Sequence, residues 1–180
     1  MKKKLIALTA AFLLVIGAAV AGTVAWLTDK TQTEVNTFTI GNIDIALEES
    51  TSDYKMVPGQ TIAKDPKVSV KAGSEDCWLF VKVEESTNLD SYIKYDIASD
   101  WTAVPGVSGV YYREVAATDT AREFSVLKDD QVTVKDTVTK AMMDAIKNQT
   151  VAAPTLSFTA YAVQKAGITS VADAWAKAQA

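Results

Sequence analysis

The chain has 180 residues, 48% of them hydrophobic and 22% charged, a size and composition for one folded domain rather than a disordered or multi-span membrane protein. Net charge is −4, and three of the positive charges are Lys2, Lys3 and Lys4, so without that end the remainder carries about −7 and no basic patch for nucleic acid or an anionic bilayer. Histidine is absent and Cys77 is the single cysteine. This removes His-based triads, the usual zinc ligands and any intrachain disulfide.

Residues 1–4 form a positive leader and LIALTAAFLLVIGAAVA, residues 5–21, an uncharged apolar run at the short end of what spans a bilayer. Lysines in front and small residues behind are the layout of a secretory signal helix, with membrane contact only before cleavage. Two sites meet the small-x-small requirement of a signal peptidase. Ala19-Val20-Ala21 gives a mature start at Gly22, and Thr23-Val24-Ala25 a start at Trp26. An uncut chain would instead be tethered, with Trp26 at the membrane interface.

From Val35 the pattern alternates. Phe38 and Ile40 share one face, and after Gly41-Asn42 the parity flips so that Ile43, Ile45 and Leu47 share another, as a tight turn or, better suited to the strand-prone residues on either side, a β-bulge in one long strand would produce. EESTSDYKMVPGQTIAKDP, broken by Pro58, Gly59 and Pro66, reads as a loop. KVSV (67–70) reads as a strand, KAGSED as a turn, and CWLFVKVEES (77–86) as a strand apolar on both faces, which suggests a central position.

SYIKYDI (91–97) fits a short strand or a helical turn, WTAVPGVSG a loop, and VYYREV (110–115) a strand. A strand is expected at 131–134 and a helix at roughly 137–148, where Val138, Met142 and Ala145 or Ile146 recur at helical spacing. TLSFTAYAVQ (155–164) is an alternating strand. Ser170 with Asp173 opens a capped C-terminal helix anchored by Trp175. Seven to nine strands with one or two peripheral helices predict an all-β, antiparallel, two-sheet sandwich over the rest of the chain, residues 26–180 behind a signal peptide at 1–25 if the second cleavage site is used.

Candidate chemistry is sparse, and no enzyme activity and no cofactor are expected. Cys77 lies in an apolar strand without a base to make thiolate. Glu48-Glu49, Glu75-Asp76, Glu84-Glu85 and Asp129-Asp130 lack the spacing of a calcium loop. Trp101, Tyr111 and Tyr112 are either core and rim or the lining of a carbohydrate surface.

GTVAWLTDKTQTEVNTFTIGNIDIAL, KMVPGQTIAKDPKVSVKAGSEDCWLFVKV and AYAVQKAGITSVADAW together resemble, in that order, the shared blocks of the TasA and camelysin (CalY) family of Gram-positive proteins with SipW-type signal peptides. The likeness covers residues 22–49, 56–83 and 160–175 well and the middle weakly. It implies cleavage between Ala25 and Trp26 by a SipW-like signal peptidase, and a secreted jelly-roll subunit of biofilm matrix fibres at the cell surface. The implied partners are further copies of itself and accessory matrix proteins. Camelysins have been called metalloproteases, but a chain without histidine carries no such site over. A cut before a strand frees residues 26–40 to complete another subunit's sheet, with Phe38, Ile40, Ile43 and Ile45 as the candidate donor-strand residues. The alternatives are a camelysin-type surface metalloprotease and a monomeric sandwich binding carbohydrate or protein.

Overall fold

The computed structural model describes residues 42–50 and 55–180. The signal segment, Ala25, Trp26, Phe38 and Ile40 lie outside the described residues, as does the bulge expected at Gly41. Among the described residues ten strands run in chain order: β1 (Ile45–Glu48), β2 (Thr61–Ala63), β3 (Lys67–Val70), β4 (Cys77–Glu85), β5 (Ile93–Lys94), β6 (Thr102–Ala103), β7 (Val110–Val115), β8 (Arg122–Ser125), β9 (Gln131–Val134) and β10 (Leu156–Gln164). Two helices, α1 (Lys140–Lys147) and α2 (Val171–Ala178), complete the set.

Every strand pair is antiparallel. One sheet has the order β10-β4-β7-β6. The other is made of two three-stranded pieces, β1-β3-β8 and β2-β9-β5, that continue into one another. Across the break, Val126 N–H donates to the Pro66 carbonyl at 2.9 Å and Lys64 N–H to the Asp130 carbonyl at 2.8 Å. Ala98 N–H, donating to the Val126 carbonyl at 3.0 Å, extends β5 along the same ribbon. The offset is absorbed by a turn at Lys128–Asp130, where Asp129 and Asp130 take positive φ of 57° and 52°. The architecture is the expected all-β sandwich.

Between the sheets sits a core of Val68, Val70, Cys77, Leu79, Val81, Trp101, Val115 and Val126. Ile43, Ile45 and Leu47 pack against it as one face, as their alternation predicts. The opposite face of β4 explains why that strand is apolar on both sides. Trp78 and Phe80 point away from the second sheet and are covered by α2, whose Trp175 ring lies 5.2 Å from Phe80 and 5.2 Å, edge-on, from Tyr161. Ser170 caps α2 as expected: its hydroxyl accepts from Asp173 N–H at 3.1 Å and donates to the Asp173 carboxylate at 2.7 Å.

A third cluster, Leu89, Tyr92, Ile93, Leu127, Val132, Val134 and Val138, fills the end of the sandwich under α1. That helix is capped by Thr139, whose hydroxyl accepts from Met142 N–H at 3.3 Å, so it starts at Lys140 rather than near Thr137. One further reading is corrected: β2 lies inside the segment read as loop. β8 was not foreseen, and of the two alternatives for 91–97 the structure has the short strand, β5, just after a 3-10 turn at Leu89–Ser91.

Candidate functional site

The side chains that could carry chemistry are dispersed or sealed. Cys77 is fully buried, and desolvation, with the charge of Asp76 beside it, pushes its thiol up to about 11, so it is no nucleophile at neutral pH. Among the described residues no group of three or more acidic or thiol ligands converges on a point. Glu84 is paired with Lys82 at 2.7 Å, and Glu85 accepts a hydrogen bond from the Tyr95 hydroxyl. Burial, then that bond, raises the Tyr95 phenol above its ordinary range. Asp65, hydrogen-bonded by the Ser50 hydroxyl and N–H, has its carboxyl lowered.

The aromatic residues considered as a carbohydrate platform do not form one. Trp101 is 5% exposed and donates its indole N–H to the Ser125 carbonyl at 2.9 Å. Tyr111 and Tyr112 are consecutive on β7 and therefore point to opposite faces, Tyr111 to the inter-sheet core and Tyr112 to the cluster under α2. No described helix is long and apolar enough to cross a membrane.

What stands out is an edge. β10 pairs with β4 over nine residues in an unbroken register, Leu156 opposite Glu85 through Gln164 opposite Cys77. Just beyond its ends, Ser86 N–H donates to the Thr155 carbonyl at 2.9 Å and Lys165 N–H to the Asp76 carbonyl at 2.8 Å. Odd-numbered residues therefore spend their backbone groups on β4. The N–H and C=O groups of Leu156, Phe158, Ala160, Ala162 and Gln164 point the other way, where no described strand pairs with them.

The sequence of this edge, LSFTAYAVQ, has no charge, proline or glycine. Those are the devices that normally blunt an edge strand. The other flank of the sandwich is treated differently: β6 and β5 are two residues each, and Pro105-Gly106 follows β6. On the β10 flank, the inward side chains Phe158, Ala160 and Ala162, and Ile45 and Leu47 of the neighbouring β1, are only partly buried. The core is incompletely covered along this seam.

At the Leu156 end the seam opens into a groove of about 420 Å³ whose apolar wall includes Met56, Ile62, Leu89, Ile93, Val132 and Leu156. Val57 at 53% and Val151 at 40% are the large hydrophobic residues left exposed among those described, and both lie beside groove residues in sequence. The Gln164 end is where the described chain begins: Glu75 N–H donates to the Asn42 carbonyl at 3.0 Å, next to the Asp76 contact with Lys165.

No protein-family model matches this chain, and no curated protein or solved structure matches it either.

Of the candidate donor-strand residues, Ile45 is already used. It lies in β1 opposite Val70, and Ile43 packs on the chain's own core. Their apolar face packs on the sheet it belongs to, while Phe38 and Ile40 lie outside the described residues. The edge position of β10 and the groove were not foreseen. The uncharged nine-residue alternation was the one signal available for the former, while the groove is built from segments far apart in the chain.

Proposed function

We propose that this chain is a secreted structural subunit of an extracellular matrix, released by cleavage between Ala25 and Trp26 and assembled when residues 26–40 of one copy pair with a free sheet edge of another. The observation that carries the reading is the nine-residue, uncharged edge of β10, with which no strand among the described residues pairs, beside half-covered core residues. Such an edge is a template for an added strand, and main-chain hydrogen bonds supply affinity while alternate side chains supply register. Successive contacts of this kind are heterologous and do not close, so they extend a fibre rather than a ring. The resemblance to fibre-forming matrix proteins supports the same reading.

Electron microscopy and sedimentation of the mature chain, with and without residues 26–40, test this. Fibres that require those residues are expected. A particle that stays monomeric at high concentration whether or not they are present overturns the proposal.

A further inference from the structure

Resting on that reading, we propose that the incoming strand runs antiparallel to β10, with Ile40 of a second copy opposite Leu156 at the groove and Phe38 opposite Phe158, which fixes the polarity of the assembly.

Reach decides first that an Ile40 seated at the groove comes from another molecule. Asn42 is held at the Gln164 end of β10 by Glu75. From there to Leu156 the strand covers about 27 Å at roughly 3.4 Å per residue. Ile40 is two residues from Asn42 and reaches only about 7 Å from it. A chain's own Ile40 therefore cannot reach its own groove.

Side-chain chemistry then sets direction. The apolar residues of the segment's inward parity, Phe38 and Ile40, are at its C-terminal end, and the preceding inward positions are Asn36, Glu34 and Gln32. Antiparallel pairing lays Phe38 and Ile40 on Phe158, Leu156 and the apolar groove, and leaves the polar positions toward Ala160, Ala162 and the Gln164 end. Parallel pairing reverses this, placing Gln32 and Glu34 at the groove.

The same register is consistent on the other face. Thr39 falls opposite Ser157 and Thr37 opposite Thr159, both exposed positions of β10, so hydroxyl side chains meet in solvent. A slip of one residue would turn Phe38 and Ile40 outward.

The geometry gives a head-to-tail arrangement. The segment leaves its own domain at the Gln164 end and ends in the neighbour's groove at the Leu156 end, with Gly41 as the single residue between Ile40 and Asn42. Each junction brings one copy's Asn42 end against the next copy's Leu156 end, so one end of the assembly presents an empty groove and the other an unplaced segment.

Disulfide trapping in assembled fibres of the mature chain tests the direction, because a disulfide needs Cα atoms within about 7 Å and Ser157 and Val163, which share a face of β10, are about 20 Å apart along the strand. Cys77 is fully buried and does not compete. Thr39→Cys combined with Ser157→Cys, or Thr37→Cys with Thr159→Cys, is expected to give a covalent ladder on mild oxidation, whereas Thr39→Cys with Val163→Cys gives none. On β10, Ser157 and Thr159 are exposed and Val163 is only partly buried, so loss of folding is not the expected failure. A ladder only with Val163→Cys overturns the antiparallel assignment. Fibres that form with residues 26–40 required but yield no ladder in any pair overturn the β10 site while leaving strand donation standing. Absence of fibres from the unmodified mature chain overturns both.

Discussion

The guanidinium of Arg113 lies over the ring of Phe124, 3.7 Å from its centroid, and ties β7 of one sheet to β8 of the other. Arg113 shares the inward parity of Tyr111 and Val115, and its charge is met by Asp100 at the rim while Trp101 lies 5.6 Å away. An inward-pointing cation at this flank both clasps the sheets and disfavours strand addition there. The two flanks of the sandwich are thus unlike: one is closed by charge and short strands, while along β10 no described strand continues the sheet.

Arg113→Ala should therefore destabilise the fold by about 1–3 kcal/mol, through lost stacking and an unpaired Asp100. Arg113→Lys should restore only part of this, because an ammonium cannot stack on Phe124 as a planar guanidinium does. Urea denaturation of the three chains measures it, and equal stability for Arg113→Lys and the parent would remove the stacking argument.

Gly109 is a second point where the sheet dictates its residue. It has φ of +70°, and a Cβ there would lie 2.7 Å from the Val83 carbonyl oxygen. Val83 N–H donates to the Gly109 carbonyl at 2.7 Å, so the backbones cannot separate without losing that bond. Gly109→Ala is expected to cost roughly 1–3 kcal/mol from positive-φ strain and the clash together, read as a lowered thermal midpoint.

How much of this could be read from the chain depends on what fixes each element. β3, β7 and β9 were legible residue by residue because their alternation is their own, with Val68 and Val70, or Val132 and Val134, turned to the core. β8 was not, since Arg122 and Glu123 are both exposed and the strand exists because β3 pairs with it. β2 is three residues between a glycine turn and Pro66, held by β9. The apolar outer face of β4 suggested a central strand, but only the structure assigns that face to Trp175 and α2. β10 was legible as a strand, whereas its place at an edge depends on which strands neighbour it, and a single sequence does not encode that locally.

Alkaline pH should weaken the fold. Burial raises the Cys77 thiol from 9.0 to about 11, and the Tyr95 phenol is raised as well, mainly by burial and then by its bond to Glu85. In both cases the folded state holds its proton more tightly than the unfolded chain, so their contribution is fully present below about pH 9 and is lost as pH rises toward 11 and beyond. Denaturation midpoints should fall across that interval. In Cys77→Ala the fall between pH 9 and 11 should be shallower, and an unchanged slope would show that the thiol does not titrate with unfolding. Native Cys77 should also resist alkylation at pH 8 until denaturant is added.

The edge itself can be tested without disturbing the sheet it belongs to. Ala160 directs its N–H away from β4, so proline at that position removes a donor from the outer edge and none from the β4 ladder. The residue before it, Thr159, is already extended in the strand, the conformation proline favours in its neighbour. Ala160→Pro should therefore keep most of the stability of the monomer, losing on the order of 1 kcal/mol, while strand addition loses a central hydrogen bond and meets the pyrrolidine ring. Thr159→Pro is the contrasting variant, because its N–H faces β4 and its loss should damage the fold directly. Fibre yield by electron microscopy, set beside urea midpoints, separates the two effects. Fibres of normal length and number from a folded Ala160→Pro chain would rule out the outer edge of β10 as the surface on which copies join.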